Sequence, residues 1–247
     1  MIYQVLKKLV KKLFPKKFLI TQEALIRQAL AWFYKGNEYT CNICNINLAN
    51  FIKLENGDLL CPACGSLPRN RRLWQVLNND VMLQGKVLDF SPSRCLYRKM
   101  KAQPGIDYVS SDFAGEFLAD VQYNITNIPE SHNEFDLIIC FHVLEHVEQD
   151  TQAMRELFRV LKPGGKCLIQ TPFKEGDIYE NQSVQTPEAR LQHFGQEDHV
   201  RIYSVSGLKK RLEQAGFQVN IDRYQPDKEN RFGLKSEEII LIATKPH

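Results

Sequence analysis

The 247-residue sequence contains no run of roughly 18 to 20 apolar residues, which is the length that a membrane-spanning helix needs. Its first residues also lack the small-residue cleavage pattern of a secretory signal peptide. Cysteine is present in seven copies, and an odd number suits a reducing compartment better than a disulfide framework. We therefore expect a cytoplasmic protein.

Acidic residues are missing from the first part of the chain. Although the formal net charge of +3 is too small to indicate a nucleic-acid partner, six lysines precede Glu23, the first acidic residue. Residues 2–14 place apolar side chains at helical spacing, with lysine pairs on the opposite face. Such a basic amphipathic helix suits peripheral contact with the inner membrane face through residues 2–17. A helix packed on its own protein would show the same pattern.

Four of the cysteines form two CxxC pairs separated by sixteen residues, a spacing typical of structural zinc sites. Two such turns can present four thiolates in a tetrahedron, which leaves no open position for a substrate. The predicted ligands of this structural zinc ion are Cys41, Cys44, Cys61 and Cys64. Four buried or redox-active cysteines are the alternative. Cys95, Cys140 and Cys167 are expected to be small core residues.

Strand and helix patterns alternate from Lys86 onward, which predicts an α/β fold with a parallel sheet covered on both faces. Only a short polar connection separates the last two predicted strands, so we expect these two to be antiparallel neighbours. The predicted organisation is a pair of helices in residues 1–38, a zinc ribbon and connecting helix in 39–80, and the sheet domain in 81–247.

One run carries most of the functional information. Residues Phe135–Val147 read as a buried strand followed by a polar, histidine-rich turn, and Arg159–Gly165 ends the next helix at Pro-Gly-Gly. This segment resembles the second half of a class I S-adenosylmethionine-dependent methyltransferase domain, and the resemblance covers about residues 85–245. It implies a Rossmann-like sheet with an antiparallel final strand pair, and it places Phe141 and His142 beyond the carboxyl end of a strand, where ligands bind. An ordinary βαβ unit without a ligand is the alternative.

The resemblance also implies a site for S-adenosylmethionine, but the loop after the first strand departs from the family pattern because it has no glycine. Asp112 matches the acidic residue that binds the ribose hydroxyls, although a turn-capping aspartate would look the same. Asn124 and Ile125 fall where the family recognises the adenine. The cofactor-binding residues that the resemblance implies are Asp89, Phe90, Ser91, Ser93, Asp112, Asn124, Ile125 and Phe141.

A dense polar segment follows the predicted Lys166–Thr171 strand. Its FGQxDHVRxY stretch is similar to that of a bacterial methyltransferase group of undefined substrate. We interpret Asp198 and His199 as a carboxylate–histidine pair that acts as general base, with His142 as a third catalytic candidate. The residues expected to contact the acceptor are His193, Arg201, as an anion clamp, and Tyr203. The alternative is a hydrogen-bonded network that closes the insertion onto the sheet.

The leading hypothesis for function is methyl transfer from S-adenosylmethionine to an oxygen or nitrogen of a small or glycan-linked acceptor. One rival is an RNA methyltransferase, because zinc knuckles precede the domain and Arg69, Arg71 and Arg72 add positive charge. Against nucleic acid, the ribbon offers only Phe51 as a clear candidate for base stacking. A second rival is a non-catalytic binding protein that keeps the fold.

Overall fold

The computed structural model describes residues 16–81, 83–115 and 117–247, so the helix predicted for residues 2–14 lies outside the described part. The chain divides into two compact units. The first consists of Met1–Met82, Arg94–Lys99 and Gln225–Glu238. The second consists of Leu83–Ser93, Met100–Tyr224 and Ile239–His247.

The first unit contains a long helix, two small antiparallel strand pairs and a second helix. Three of these four strands have only two residues each. Two-stranded pairs of this size cannot enclose a large apolar core, so the unit depends on other interactions. Pro68 opens the second helix, at a position where its missing N–H is not needed. The elements are α1 (Lys16–Trp32), β1 (Lys35–Thr40), β2 (Asn47–Leu48), β3 (Ile52–Lys53), β4 (Leu59–Leu60) and α2 (Pro68–Asn79).

Arg71 of α2 is the most deeply buried charged residue of this unit, with no exposed surface. Its guanidinium donates to the main-chain oxygens of Ser66 at 2.7 Å and Leu59 at 2.8 Å. It also donates to Phe232 and Gly233 at 2.6 and 2.9 Å, which joins the Gln225–Glu238 segment to α2. One planar side chain with five donors can bridge several carbonyls in this way, which a lysine cannot do.

The second unit is built on a six-stranded sheet in the order β11-β12-β8-β7-β5-β6. Strands β5, β6, β7 and β8 pair in parallel, and β12 runs antiparallel to β8. This arrangement confirms the predicted α/β fold class with an antiparallel end. In chain order the elements are β5 (Gly85–Phe90), α3 (Arg94–Lys101), β6 (Ile106–Ser111), β7 (Phe135–Phe141), a 3-10 turn (Leu144–His146), α4 (Asp150–Val160), β8 (Leu161–Gln170), β9 (Tyr179–Glu180), α5 (Pro187–Phe194), β10 (Arg201–Ile202), α6 (Val205–Gln214), β11 (Gln218–Tyr224) and β12 (Glu238–Thr244).

The core of the second unit lies on both faces of the parallel strands. β7 reads as a nearly continuous apolar run because it is covered on both sides. Buried side chains of α4, such as Met154 and Leu157, belong to the same core cluster as Ile138 of β7. Packing of this kind fixes the strand ends, and it therefore fixes the loops that follow them.

The transition from α4 to β8 differs from the sequence-based expectation. The Pro-Gly-Gly run was predicted to end the helix, but α4 ends at Val160 and the strand already begins at Leu161. The pairing of β7 with β8 shifts register near this point. Gly165 is required there, since a Cβ would meet the main-chain oxygen of Lys162 at 2.8 Å.

Candidate functional site

The loops after β5 and β7 leave the same edge of the parallel sheet. Each uses a residue other than glycine in the left-handed conformation, Ser91 with φ of 50° and His142 with φ of 57°. Ser91 donates its N–H to the main-chain oxygen of Ser111 at 2.7 Å, and His142 donates to that of Gln170 at 2.8 Å. A non-glycine residue in this region carries a cost of about 1–2 kcal/mol. Such outliers cluster at ligand sites.

Ser91 and Asp112 are brought together at this edge. The Ser91 hydroxyl donates to Asp112 Oδ1 at 3.1 Å, and the main-chain N–H of Phe117 donates to Oδ2 at 2.9 Å. Asp112 is buried at the end of β6. The loop without glycine thus keeps a left-handed turn beside the acidic residue, and a carboxylate of this kind has acceptor capacity for a diol.

Asp89 lies inside the sheet rather than on its edge. It is fully buried, and the Tyr108 hydroxyl donates to its Oδ2 at 2.9 Å. Burial raises the pKa of Asp89 to about 7, while the hydrogen bond from Tyr108 acts in the opposite direction. The neighbouring Phe90 is buried as well.

Asn124 forms a tight turn of its own. Its side-chain oxygen accepts from Thr126 N at 3.0 Å and from the Thr126 hydroxyl at 2.8 Å. Ile125 is buried in the core cluster, and Phe141 at the end of β7 is half-buried. The position predicted to face the adenine therefore offers an amide held in a defined orientation by an Asx turn.

The turn after β7 places a buried carboxylate against a histidine. Glu145 is 1% exposed, and its Oε1 lies 3.2 Å from His142 Nδ1. Burial alone would raise the pKa of Glu145, but the contact with His142, a main-chain hydrogen bond and the charge of His146 together lower it. The His142 ring, at the end of the strand, is partly exposed.

The polar insertion folds back onto this turn. Val200 donates its N–H to the main-chain oxygen of Glu145 at 2.9 Å, and the His199 ring meets the His146 ring edge-on with centroids 4.7 Å apart. Asp198, predicted as the partner of His199, has its Oδ2 at 3.1 Å from His146 Nδ1. Burial, with the charge of His146, lowers the pKa of His199.

Arg201 and Tyr203 lie in the interior. Arg201 donates to the main-chain oxygens of Leu144, Val147 and Glu148, and it pairs with Glu180 at 3.0 Å. The Tyr203 hydroxyl donates to Asp150 at 2.6 Å. These contacts match the alternative of a network that closes the insertion onto the sheet. Because these contacts bury the Arg201 guanidinium, Arg201 does not face the surface as the predicted anion clamp would.

His193 lies on the surface of the insertion, at the end of α5. Its Nδ1 is 2.6 Å from the Tyr179 hydroxyl, and the two rings are stacked. The His193 ring is exposed, so a bound molecule could reach it, and its hydrogen-bond partner within the chain is Tyr179.

The four cysteines of the CxxC pairs meet in the first unit. The Sγ atoms of Cys41 and Cys64 are 3.6 Å apart, and those of Cys44 and Cys61 are 3.8 Å apart. A tetrahedral ion with sulfur ligands at 2.3 Å has ligand-to-ligand edges of about 3.8 Å. The residues after the second cysteine of each pair, Asn45 and Gly65, are both left-handed. The geometry therefore fits a tetrahedral metal ion.

Comparison with known proteins decides the family. Residues 71–220, more than half of the chain, match a family described as a methyltransferase domain. The chain belongs to this methyltransferase family. The family match begins inside α2 and ends in β11, so it takes in the whole parallel part of the sheet.

Individual methyltransferases resemble parts of the chain. A probable S-adenosylmethionine-dependent methyltransferase of Mycolicibacterium smegmatis is 34% identical over 96 residues, covering 39% of this chain and 34% of that protein. A ubiquinone biosynthesis O-methyltransferase of Aliivibrio fischeri is 27% identical over 164 residues, covering 60% of this chain and 70% of that protein. The match thus spans only about a third of the mycobacterial protein's length.

A solved structure shows the same fold. The phosphoethanolamine N-methyltransferase 2 of Haemonchus contortus, in complex with S-adenosyl-L-methionine, superimposes with a TM-score of 0.51 at 16% identity. The match covers 72% of this chain and 53% of that one. At this identity the likeness concerns the fold of the methyltransferase domain alone.

The raised pKa of Asp89 predicts how stability varies with pH. An unfolded aspartate has a pKa near 3.9, whereas the folded one has a pKa of about 7, so the folded state holds a proton that the unfolded state has lost. The stabilisation is complete below about pH 4 and is lost as the pH rises through 7. Relative to Asp89→Asn, the wild type should lose about 4 kcal/mol of unfolding free energy between pH 4 and pH 8, from 1.36 kcal/mol per pKa unit.

Urea unfolding of both proteins across this range measures the difference. The control is Asp107→Asn, which changes an exposed aspartate near the start of the neighbouring strand β6. This variant should follow the wild type. Parallel profiles for the wild type and Asp89→Asn would show that the buried carboxyl does not titrate as described.

Proposed function

We propose that the protein transfers a methyl group from S-adenosylmethionine to an oxygen or nitrogen of a small or glycan-linked acceptor. Membership of the methyltransferase family supports the reaction class. The observation that carries the proposal is the left-handed Ser91 hydrogen-bonded to Asp112. The backbone shape for which the family uses glycine is thus present in a loop without glycine.

The residues at the carboxyl edge suit the parts of this cofactor, which supplies an activated methyl group. Asp112 would accept hydrogen bonds from the ribose hydroxyls. Because Thr126 occupies the Asn124 side-chain oxygen, the Asn124 NH2 group would donate to a ring nitrogen of the adenine. The remaining surface of the bound cofactor would contact Ser91, Ser93 and Phe141. Asp89 and Phe90 are buried, so we assign them to shaping the loop, and the buried Ile125 to supporting the Asn124 turn.

On the acceptor side, His142 is the base that the geometry favours. Its ring is partly exposed at the end of β7, and Glu145 behind it would stabilise the protonated imidazole. His199 is buried and Asp198 faces His146, so Asp198 and His199 do not form a general-base pair of their own. Among the residues predicted to contact the acceptor, His193 alone has an exposed ring, and Arg201 and Tyr203 act by holding the insertion.

The RNA methyltransferase rival loses two of the three arginines that suggested it, since only Arg69 stays partly exposed. Arg71 is enclosed by main-chain oxygens, and Arg72 is 3.4 Å from Glu238 in a buried pair. Phe51, the candidate for base stacking, is buried beneath the Arg71 guanidinium at 4.1 Å. A surface for phosphates and bases needs these groups exposed.

We assign a structural zinc ion to the four cysteines. Four thiolates complete a tetrahedral shell, so the ion would stabilise the unit without binding substrate. The buried Arg71 would offset part of the negative charge of a four-thiolate zinc centre. Ser66 Oγ lies 3.3 Å from Cys41 Sγ and 3.2 Å from Cys64 Sγ, so its single O–H would donate to one of these two thiolates.

We also propose peripheral contact with an anionic membrane through residues 2–17, which lie outside the described residues. The lysine pairs of this segment support the proposal, as do the exposed Trp32 and Phe33 at the end of α1. Within the described residues, no helix is both long and apolar enough to cross a membrane.

Cofactor binding is tested by calorimetry with S-adenosylmethionine and its demethylated product. Asp112→Ala should weaken binding by about 1.5–3 kcal/mol, roughly 10- to 150-fold, the range for hydrogen bonds to a charged group. Asp107→Ala, exposed on the same strand, should bind like the wild type. No binding by the wild type at millimolar cofactor would contradict methyl transfer, whereas unchanged affinity of folded Asp112→Ala would contradict only the role of Asp112.

Metal analysis tests the zinc assignment. Freshly purified protein should contain at least one zinc ion per chain, and Cys41→Ser should contain one ion fewer because it lacks a ligand. Cys167→Ser, which changes a buried cysteine of β8, should keep the wild-type content. The assignment fails if the wild type holds less than one zinc ion or if the two variants behave alike.

Flotation with vesicles tests the membrane contact. The full chain should float with anionic vesicles and less so as salt rises, because salt screens the lysine charges. Deletion of residues 2–17 should abolish flotation. Equal flotation of the two proteins, or equal flotation with zwitterionic vesicles, would refute the proposal.

A further inference from the structure

Three metal-ligating side chains converge where the insertion meets the turn after β7. Glu145 and His146 lie on the 3-10 turn, and His199 lies between α5 and β10. One ligand atom of each is within 4.8 Å of the others. Two ligands of one ion are at most about 4.2 Å apart, twice a 2.1 Å bond. Small side-chain rotations would therefore suffice to bring all three onto one ion.

Buried acceptors of this cluster are left unsatisfied. Neither carboxylate oxygen of Glu145 nor His199 Nε2 receives a well-formed hydrogen bond from the described residues, although Glu145 Oε1 lies 3.2 Å from His142 Nδ1. Glu145 is 1% exposed and His199 is 3% exposed. Leaving such groups unpaired is unfavourable, and most of all for a charged group. A cation between them would remove this cost.

The second ring nitrogen of His146 already has a partner, since His146 Nδ1 is 3.1 Å from the Asp198 carboxylate. The His199 ring lies near the main chain of Phe194. Metal-binding histidines almost always donate their second ring N–H to a carboxylate or a carbonyl, which fixes the tautomer. In His146 this tautomer would leave Nε2 for the ion, and in His199 the Nε2 atom is buried without a hydrogen-bond partner among the described residues.

From this convergence we propose that Glu145, His146 and His199 bind a divalent transition-metal ion of the zinc class, at a site separate from the four cysteines. Two imidazoles and one carboxylate suit zinc and its neighbours, whereas magnesium and calcium prefer oxygen ligands alone. Asp198 is a positioning residue that orients His146.

Three protein ligands leave a coordination position open, unlike the four-thiolate site. An oxygen of the acceptor bound there would give its proton to His142, the proposed base, more readily, because the ion stabilises the anion. This extension rests on the proposed methyl transfer, whereas the metal site itself does not.

Cobalt uptake tests the site in the full-length protein. The protein is first loaded with one equivalent of zinc to fill the cysteines, and Co²⁺ is then added. We expect one Co²⁺ per chain with weak ligand-field bands and no thiolate-to-cobalt charge-transfer band. His199→Ala should abolish this uptake, while Mg²⁺ in excess should not compete with it.

A surface substitution provides the second arm, because Asp198 is 69% exposed and its replacement should leave the fold intact. Asp198→Asn should weaken Co²⁺ binding by about 10- to 100-fold, the usual effect of losing an outer-shell partner. Glu197→Gln, the exposed neighbour, is the matched control and should bind like the wild type.

Two results would overturn the proposal. One is the absence of Co²⁺ uptake by the zinc-loaded wild type. The other is uptake that is unchanged in both folded His199→Ala and Asp198→Asn. Calorimetry with S-adenosylmethionine on the same samples separates the outcomes, because cofactor binding without metal binding contradicts the metal site alone.

Discussion

The candidate site depends on the position of Arg201. Its guanidinium holds the main-chain oxygens at the end of β7's turn, at Leu144, Val147 and Glu148. Because Arg201 follows His199 by two residues, this attachment also brings His199 over the turn that carries Glu145. A buried arginine can be this specific because its donors have fixed directions and its charge is matched by Glu180 and Asp150. Without it, the insertion would lose the three hydrogen bonds that join its guanidinium to this turn.

The first unit uses the same chemistry for another purpose. Its strands are short, and Arg71 supplies hydrogen bonds to four separate main-chain oxygens where an apolar core would otherwise be needed. The cysteine cluster lies next to it, since Ser66 contacts both Arg71 and the Cys41 sulfur. Each unit thus contains a buried guanidinium that donates mainly to main-chain oxygens.

The sequence was sufficient for the fold but only partly for the site. The apolar run of β7 and the CxxC spacing are strong local signals, so the sheet and the cysteine cluster could be predicted. Arg201 could not be read in this way, because an arginine in a polar loop has the same appearance whether it faces solvent or carbonyls. The partner of Asp198 was also beyond reach, since His146 is 52 residues away and only the folded insertion brings the two together. No role was predicted for His146.

The connection between the last two strands has a practical meaning for dissection of the chain. Gln225–Glu238 leaves the sheet domain, completes the ribbon unit through the Phe232 and Gly233 carbonyls, and then returns as β12. The ribbon is therefore discontinuous in sequence. A fragment cut near residue 82 would separate Arg71 from these carbonyls and expose them. The methyltransferase domain and the ribbon therefore cannot be separated by a single cut of the chain. An exchange of the ribbon unit between proteins would need all of its segments, Met1–Met82, Arg94–Lys99 and Gln225–Glu238, to be transferred together.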